Sequence, residues 1–382
     1  MTFGGDPSAP PVEAAGPGSG FGATVSPPAT SAAPGPAAPP VVGARQLFGA
    51  SFDLLLRVSG SLRPPSFYVG LVVLGTVGPL VLAMLGVASV VDLDTLFAGE
   101  AFDPEGPGPE LPIASAATTW LFVLMMLAFA GILVASIESS AAAIALLGAH
   151  LVGHPLTTRQ AIARSRTVFW FVVVAGLLIG VPTAIVQAIV NEVLAQSVEA
   201  GSVVGLIAAV VIQAPFVYAT SGIVLGGVGP VEAFRRSVRV FRARKAAGVL
   251  VTLFPVLFQF VLLFGIGVGL DVIARVVTTL GLDVHAGAGP LALLAVLAVM
   301  ATFSVGTLLF TAAALSAAPQ VVMFVSLTHA TMGLDAVRRG GAHDPDDYGA
   351  RRQRFRWLTR PMLGGFILGG VALAAFVALF GP

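Results

Sequence analysis

Long apolar runs separated by alternately basic and acidic segments constrain this chain more than any other feature. Runs of about 20 or more apolar residues are typical of helices that span a membrane. If each run crosses once, then all of the 20 Lys and Arg residues except Arg275 fall on one side of the membrane. Because basic residues near short loops face the cytoplasm, this alternation predicts both the crossings and their direction.

The composition agrees with one unit embedded in a bilayer. The chain is 56% hydrophobic and 10% charged, with a mean hydropathy of +0.94, whereas soluble domains carry about 25% charged residues. We predict an all-α, polytopic integral membrane helical bundle of about seven transmembrane helices, with the N-terminus inside and the C-terminus outside. The predicted spans are residues 67–91, 117–152, 168–190, 203–225, 247–270, 290–334 and 362–380.

Three amphipathic segments on the basic side are predicted to be cytoplasmic interfacial helices, because each combines an apolar stripe with Arg residues. These segments are residues 42–58, 157–166 and 230–245. Pro64 and Pro65 are predicted to end the first of them, and Gly153 is predicted to break the overlong second span.

The chain divides into a tail and a membrane domain. Residues 1–41 are rich in Pro, Ala and Gly with few large apolar groups, which predicts a disordered cytoplasmic tail. Residues 42–382 form the predicted transmembrane helical domain. Within it, Pro319 leaves two alternatives for the sixth apolar run, which is one kinked helix or two packed helices.

The segment 227–242 reads Gly-Val-Gly-Pro-Val-Glu-Ala-Phe-Arg-Arg-Ser-Val-Arg-Val-Phe-Arg. It resembles an element of multi-pass bacterial proteins similar to the membrane domain of glycerophosphoryl diester phosphodiesterases and its uncharacterised relatives. In those proteins a glycine-proline turn and a Glu-Ala-hydrophobic-Arg-Arg-Ser helix lie between two spans. The likeness covers about residues 42–340 and includes no segment for a catalytic phosphodiesterase domain. The resemblance therefore implies a membrane domain and not a hydrolase.

Glu138 is the one acidic residue within an apolar run, and ionisable groups inside a span are functional candidates. It could form a polar intramembrane site together with amide and imidazole side chains of other spans. The other members of this candidate site are Gln187, Gln213, Gln259 and His329. Alternatively, Glu138 reaches the cytoplasmic interface or pairs with Arg159 or Arg164, and the amides only tie helices together.

The predicted helix over residues 230–245 is the most cationic in the chain and could bind the anionic headgroups of the inner leaflet. Its candidate headgroup contacts are Arg235, Arg236, Arg239, Arg242, Arg244 and Lys245. Ordinary topogenic charge would also account for these residues. No nucleic-acid-reading module accompanies them, so a nucleic-acid partner is not expected.

Catalytic and metal chemistry find little support in the sequence. His150 and His154 have the i, i+4 spacing of a zinc-binding helix, but no Glu lies between them, so we predict polar residues at a helix end. The chain has no Cys, which excludes disulfides and thiolate sites. Asp271 and Arg275 are predicted to form a local ion pair. We therefore predict no enzyme activity, no metal and no cofactor.

These patterns favour a multi-pass protein of a bacterial cytoplasmic (inner) membrane. The first hypothesis is a structural or accessory component that interacts with anionic inner-leaflet lipid or with a membrane partner. The alternative is a transporter or permease with a polar cavity around Glu138. Pairs of glycines four residues apart, such as Gly176 and Gly180, indicate close helix packing in the bundle or in a homo-oligomer.

Overall fold

The computed structural model describes residues 46–88, 115–153, 155–193, 198–281 and 287–332. It is 93% helical, and no strand occurs among the described residues. The helices are α1 (Leu47–Ala88), α2 (Ser115–Leu151), α3 (Thr158–Val193), α4 (Val198–Gln213), α5 (Ala219–Gly226), α6 (Pro230–Ala243), α7 (Lys245–Thr279) and α8 (Ala288–Met332). A single 3₁₀ turn over Ala214–Phe216 lies between α4 and α5. The predicted all-helical class is therefore confirmed.

Five helical segments of the described chain are long and apolar enough to cross a membrane. They are Leu47–Ala88, Thr119–Leu151, Thr158–Val193, Val203–Gly226 and Gly289–Thr328. Each contains most of one predicted span, which indicates a helical membrane protein. The predicted span 247–270 falls within α7. The predicted tail 1–41 and the predicted seventh span 362–380 lie outside the described residues.

The core of the bundle lies where α1 packs along α8 and α2. Glycines allow these helices to approach closely, as small residues do at helix interfaces in membranes. A Cβ atom added to Gly306 of α8 would come within 2.8 Å of the Cα atom of Gly70 on α1. On the side of α1 that meets α2, Gly131 of α2 lies directly against Thr76. Main-chain contact of this kind leaves little room for a cavity between α1 and α8.

The first predicted interfacial helix is not a separate element, because α1 continues through Pro64 and Pro65 without a break. Consecutive prolines remove helix hydrogen bonds and normally end a helix. Packing against α8 offsets that loss here: the Ser66 hydroxyl donates to the Thr307 carbonyl at 3.2 Å, and Pro65 is buried. The prediction that Pro64 and Pro65 end the segment was wrong because it weighed only local propensity.

The second predicted interfacial helix is the first part of α3 and not a separate helix. A capping box begins α3: the Thr157 hydroxyl accepts from the Gln160 N–H at 3.4 Å, and the Gln160 side chain accepts from the Thr157 N–H at 2.9 Å. Since no Gly or Pro follows until Gly176, the helix runs on into the span. The predicted break before it is confirmed, with Gly153 in the left-handed region at φ 80°.

The fourth predicted span is interrupted at Pro215, where α4 gives way to the 3₁₀ turn and then to α5. The side chain of Ser237 on α6 satisfies backbone groups that the break exposes. Its hydroxyl donates to the Pro215 carbonyl at 2.8 Å and accepts from the Tyr218 N–H at 3.1 Å. A hydroxyl from a neighbouring helix thus replaces part of the missing helical ladder.

One further boundary differs from the prediction, at the end of α7. The segment after residue 270, expected to leave the helix, remains helical to Thr279. The predicted ion pair between Asp271 and Arg275 is confirmed at 2.8 Å and lies within this helix.

In the sixth apolar run, α8 passes through Pro319 as one helix up to Met332, so this region is one helix and not two packed helices.

Candidate functional site

A buried cluster of three polar side chains joins α1, α2 and α3. The Arg166 Nε atom lies 2.9 Å from Glu138 Oε1, and the Arg166 Nη2 atom donates to the Tyr68 hydroxyl at 2.6 Å. Glu138 is only 4% exposed. Its second oxygen, Oε2, has no hydrogen-bond partner among the described residues. One guanidinium therefore bridges a carboxylate and a phenol that belong to two other helices.

The partner of Glu138 differs from both sequence-based alternatives. Arg159 is exposed, and the Nε atom of Arg164 donates to the Val224 carbonyl of α5 at 3.0 Å. Arg164 and Arg166 are two positions apart, so they point to nearly opposite sides of α3. The pairing with Arg159 or Arg164 was wrong, although one signal favoured Arg166: it is the last Arg before the apolar run of α3.

Small buried residues flank Glu138 along α2. Ala135, Ala141 and Ala143 of α2 are buried. The Ser139 hydroxyl donates to the Ala135 carbonyl within the same helix. In such surroundings the attraction between Arg166 and Glu138 is weakly screened, but both groups lose hydration when they are buried. The geometry suits a fixed contact that sets the register of three helices.

Of the other members of the candidate polar site, Gln187 and Gln213 have described side chains, and neither forms a described hydrogen bond or ion pair with Glu138. Gln187 is exposed on α3, and at about 1.5 Å per residue it lies about 30 Å beyond Arg166 along the helix. Gln213 is half-buried at the last residue of α4. The side chains of Gln259 and His329 lie outside the described part of the molecule.

His150 and His154 were predicted to be polar residues at a helix end and not a zinc-binding pair. The Nδ1 atom of His150 lies 3.0 Å from the Leu146 carbonyl oxygen of the preceding turn, as expected for a polar residue at a helix end. His154 lies outside the described residues. No group of three or more metal-ligating side chains occurs within the described ranges.

The basic segment predicted as a helix over residues 230–245 forms α6, which ends at Ala243, and Lys245 already begins α7. Gly227 adopts the left-handed conformation at φ 62° that ends α5, and Pro230 occupies the first turn of α6. The buried face of α6 carries Ala233, Ser237 and Val240. The helix therefore has one face fixed to the bundle and one face free of it.

A groove of about 450 Å³ runs along the outer face of α6. Its lining residues are Phe234, Arg235, Val238, Arg239 and Arg242. The three arginines are exposed, while Phe234 and Val238 are half-buried. The Phe234 ring meets Phe216 edge to face at 5.3 Å between centroids, which holds one wall of the groove in place.

The cations of the α6 groove have no acidic partner within the described ranges. Glu232 is the one acidic residue of α6, and it pairs instead with Arg236 at 3.2 Å. Arg235, Arg239 and Arg242 make no ion pair with any described carboxylate. The six predicted headgroup contacts thus divide into these groove cations, the paired Arg236, and the exposed Arg244 and Lys245 beyond the helix.

The sequence pattern did not separate the groove from the rest of the basic helix. One apolar residue of this helix packs away from the groove, since the Phe241 ring lies against Gly248 of α7. The usable signal was the spacing of Arg235, Arg239 and Arg242 at i, i+4 and i+7, which places three cations on one helical face.

Comparisons with protein-family models, with curated proteins and with solved structures give no match for this chain.

Proposed function

We propose that this chain is a non-enzymatic, multi-pass accessory component of a bacterial cytoplasmic membrane that binds anionic lipid at the inner leaflet. The observation that carries the proposal is the α6 groove, where three arginines without an ion pair among the described residues adjoin the partly apolar wall of Phe234 and Val238. A headgroup phosphate meets the guanidinium groups, and adjoining acyl carbons meet the apolar wall.

The charge distribution supports the inner leaflet as the location of this contact. Because residues 230–245 hold six of the 20 Lys and Arg residues, the positive-inside rule assigns α6 to the cytoplasmic side. Anionic lipids give that leaflet a negative surface potential, and each nearby Lys or Arg contributes about 1 kcal/mol to binding. Three groove arginines then contribute roughly 3 kcal/mol, or a factor of about 100 in affinity.

The first experiment measures the binding of phosphatidylglycerol to the purified full chain in detergent by native mass spectrometry. The variant Arg235→Gln/Arg239→Gln/Arg242→Gln is expected to bind this lipid about 100-fold more weakly, because the groove loses the cations that donate hydrogen bonds to the phosphate. Thermal unfolding should stay close to that of the unmodified chain, since all three side chains are exposed.

A matched control removes three other exposed arginines from the predicted cytoplasmic side. The variant Arg57→Gln/Arg63→Gln/Arg159→Gln has the same net charge as the groove variant, but none of its changes lines the groove. We expect its affinity to fall less than about threefold, since exposed charges outside the site are screened by salt. Equal losses in the two variants would mean that net charge alone attracts lipid, and the proposal would fail.

The alternative of a transporter around Glu138 receives less support from the geometry. The carboxylate is engaged by Arg166 and Tyr68, buried alanines flank it along α2, and Gln187 lies about 30 Å from Arg166 along α3. A conducting path would need polar groups at intermediate depths. Proton flux into proteoliposomes, followed with an enclosed pH-sensitive dye, should therefore be the same for the unmodified chain and for Glu138→Gln.

A further inference from the structure

Three features of the α6 groove specify its ligand more closely than anionic lipid in general. They are the number of unpaired cations, their spacing along the helix, and the rigid attachment of α6 to the bundle. Resting on the function proposed above, we propose that the groove binds a lipid carrying two linked phosphodiester groups, of the cardiolipin type.

The number of cations is the first argument. Arg235, Arg239 and Arg242 remain unpaired within the described ranges, since the one carboxylate of α6 is engaged by Arg236. A single phosphodiester carries one negative charge and offers two non-bridging oxygens, which suit one guanidinium fork. Three guanidinium groups in one groove are better matched by two phosphodiesters, which together carry two charges and four such oxygens.

The spacing of the cations is the second argument. From Arg235 to Arg242 the helix rises by roughly 10 Å, with Arg239 between them. The groove is therefore elongated along α6, and its ends each present a guanidinium group. Two phosphates joined by a short bridge can contact both ends at once. When one phosphate is bound, the bridge keeps the second at high effective concentration beside the remaining cations.

The rigidity of α6 is the third argument. Ser237, on the opposite face, bonds both the Pro215 carbonyl and the Tyr218 N–H of the interrupted span. Ala233 is fully buried and lies against Gly222 of α5. These contacts fix the rotation of α6 about its axis, so the three arginines keep a common direction before any lipid binds. A preorganised row of donors favours a ligand with a matching row of acceptors.

The groove wall decides between a lipid and a soluble diphosphate. Phe234 and Val238 add apolar surface between and beside the arginines, and Phe216 supports the Phe234 ring. A soluble diphosphate has no apolar part to cover this surface. A lipid places acyl carbons next to its phosphates, so the arginines bind the phosphates while the apolar side chains cover the acyl carbons.

The test compares cardiolipin with phosphatidylglycerol at equal total phosphate, using the full chain and native mass spectrometry. If two linked phosphates are recognised together, cardiolipin binds at least about tenfold more tightly than phosphatidylglycerol. In Arg242→Gln this preference should shrink to about twofold or less, because one end of the row of cations is lost, whereas Arg159→Gln should keep the full preference. Inorganic pyrophosphate at the same phosphate concentration should not displace the bound lipid.

The outcomes separate the inference from the proposed function. Equal affinities for cardiolipin and phosphatidylglycerol at matched phosphate, with groove variants still impaired, would overturn the two-phosphate inference and leave lipid binding intact. Displacement by pyrophosphate would show that the occupant is a soluble diphosphate, which overturns the lipid assignment. Binding of both lipids that is unaffected by the groove variants would overturn the proposed function itself.

Discussion

Two ion pairs of nearly equal length lie in very different parts of this molecule. Arg166 and Glu138 are 2.9 Å apart, with side chains 16% and 5% exposed. Arg275 and Asp271 are 2.8 Å apart, with side chains 78% and 58% exposed. The first pair joins two helices and contacts a third, whereas the second lies within one turn of α7. Contact distance alone therefore says little about what each pair does.

The difference in burial changes the physics of the two contacts. At the exposed pair, water and salt screen the attraction, and either side chain can return to solvent at little cost. At the buried pair, hydration was given up when the helices assembled, so each charge depends on the other. We infer that the Glu138–Arg166 pair determines which helix faces meet, while the Asp271–Arg275 pair adds only local helix stability.

The largest expected effect comes from Arg166→Met, which keeps the apolar length of the side chain and removes its charge. Glu138 would then be buried without a cation, and losing one partner of a buried pair costs about 3–5 kcal/mol. The measurement is the free energy of unfolding by SDS titration in mixed micelles. A loss below about 1 kcal/mol would contradict the view that burial makes this pair strong.

A companion variant sharpens the same comparison. In Arg166→Met/Glu138→Leu neither charge remains, so no uncompensated group is buried, and replacing a whole buried pair by apolar residues is often neutral. We expect the double variant to be more stable than Arg166→Met alone. If both variants lose the same stability, the cause is the lost shape of the Arg166 side chain and not the orphaned carboxylate.

Tyr68→Phe should have the next largest effect. The Tyr68 hydroxyl accepts a hydrogen bond from Arg166 Nη2 at 2.6 Å, and bonds to charged groups contribute about 1.5–3 kcal/mol. We expect a loss near the lower end, about 1.5 kcal/mol, because Tyr68 is half-buried. SDS titration of Tyr68→Phe, under the same conditions as for Arg166→Met, measures this loss.

The chain contains a matched control for this tyrosine. Tyr218 is fully buried, and its hydroxyl has no hydrogen-bond partner among the described residues. Tyr218→Phe removes a polar atom that makes no described contact, so stability should be unchanged or slightly higher. Equal losses at Tyr68 and Tyr218 would indicate that the ring environment, and not the bond to Arg166, accounts for the effect.

Local signals in the sequence were sufficient for some parts of this fold. The start of α6 follows from Pro230 after a glycine turn, and the end of α2 follows from Gly153, because these residues act on their own backbone. The ion pair between Asp271 and Arg275 also follows from spacing, since i, i+4 positions on a helix are neighbours in any fold.

Other parts depend on contacts between distant segments, which the sequence pattern does not contain. Helix α1 continues through Pro64 and Pro65 because it packs along α8, whereas the fourth span breaks at Pro215, where Ser237 bonds the exposed backbone groups. Proline therefore interrupts the helix at one of these sites and not at the other. The partner of Glu138 likewise depended on the rotation of α3, and a two-residue difference from Arg164 to Arg166 reverses the direction of the side chain.

The smallest expected effect is that of Asp271→Asn, which preserves the shape of the side chain and removes the charge of the exposed pair. Exposed i, i+4 pairs contribute about 0.3–0.5 kcal/mol, and that contribution falls as salt screens the charges. SDS titrations of this variant and of the unmodified chain, at about 0.05 M and about 0.5 M salt, should differ slightly at low salt and coincide at high salt.

The stability loss of Arg166→Met should change little between these salt concentrations, because salt screens buried charges much less. A loss above about 1 kcal/mol for Asp271→Asn, or one insensitive to salt, would mean that this pair contacts something beyond its own helix, and the contrast between the two ion pairs would then fail.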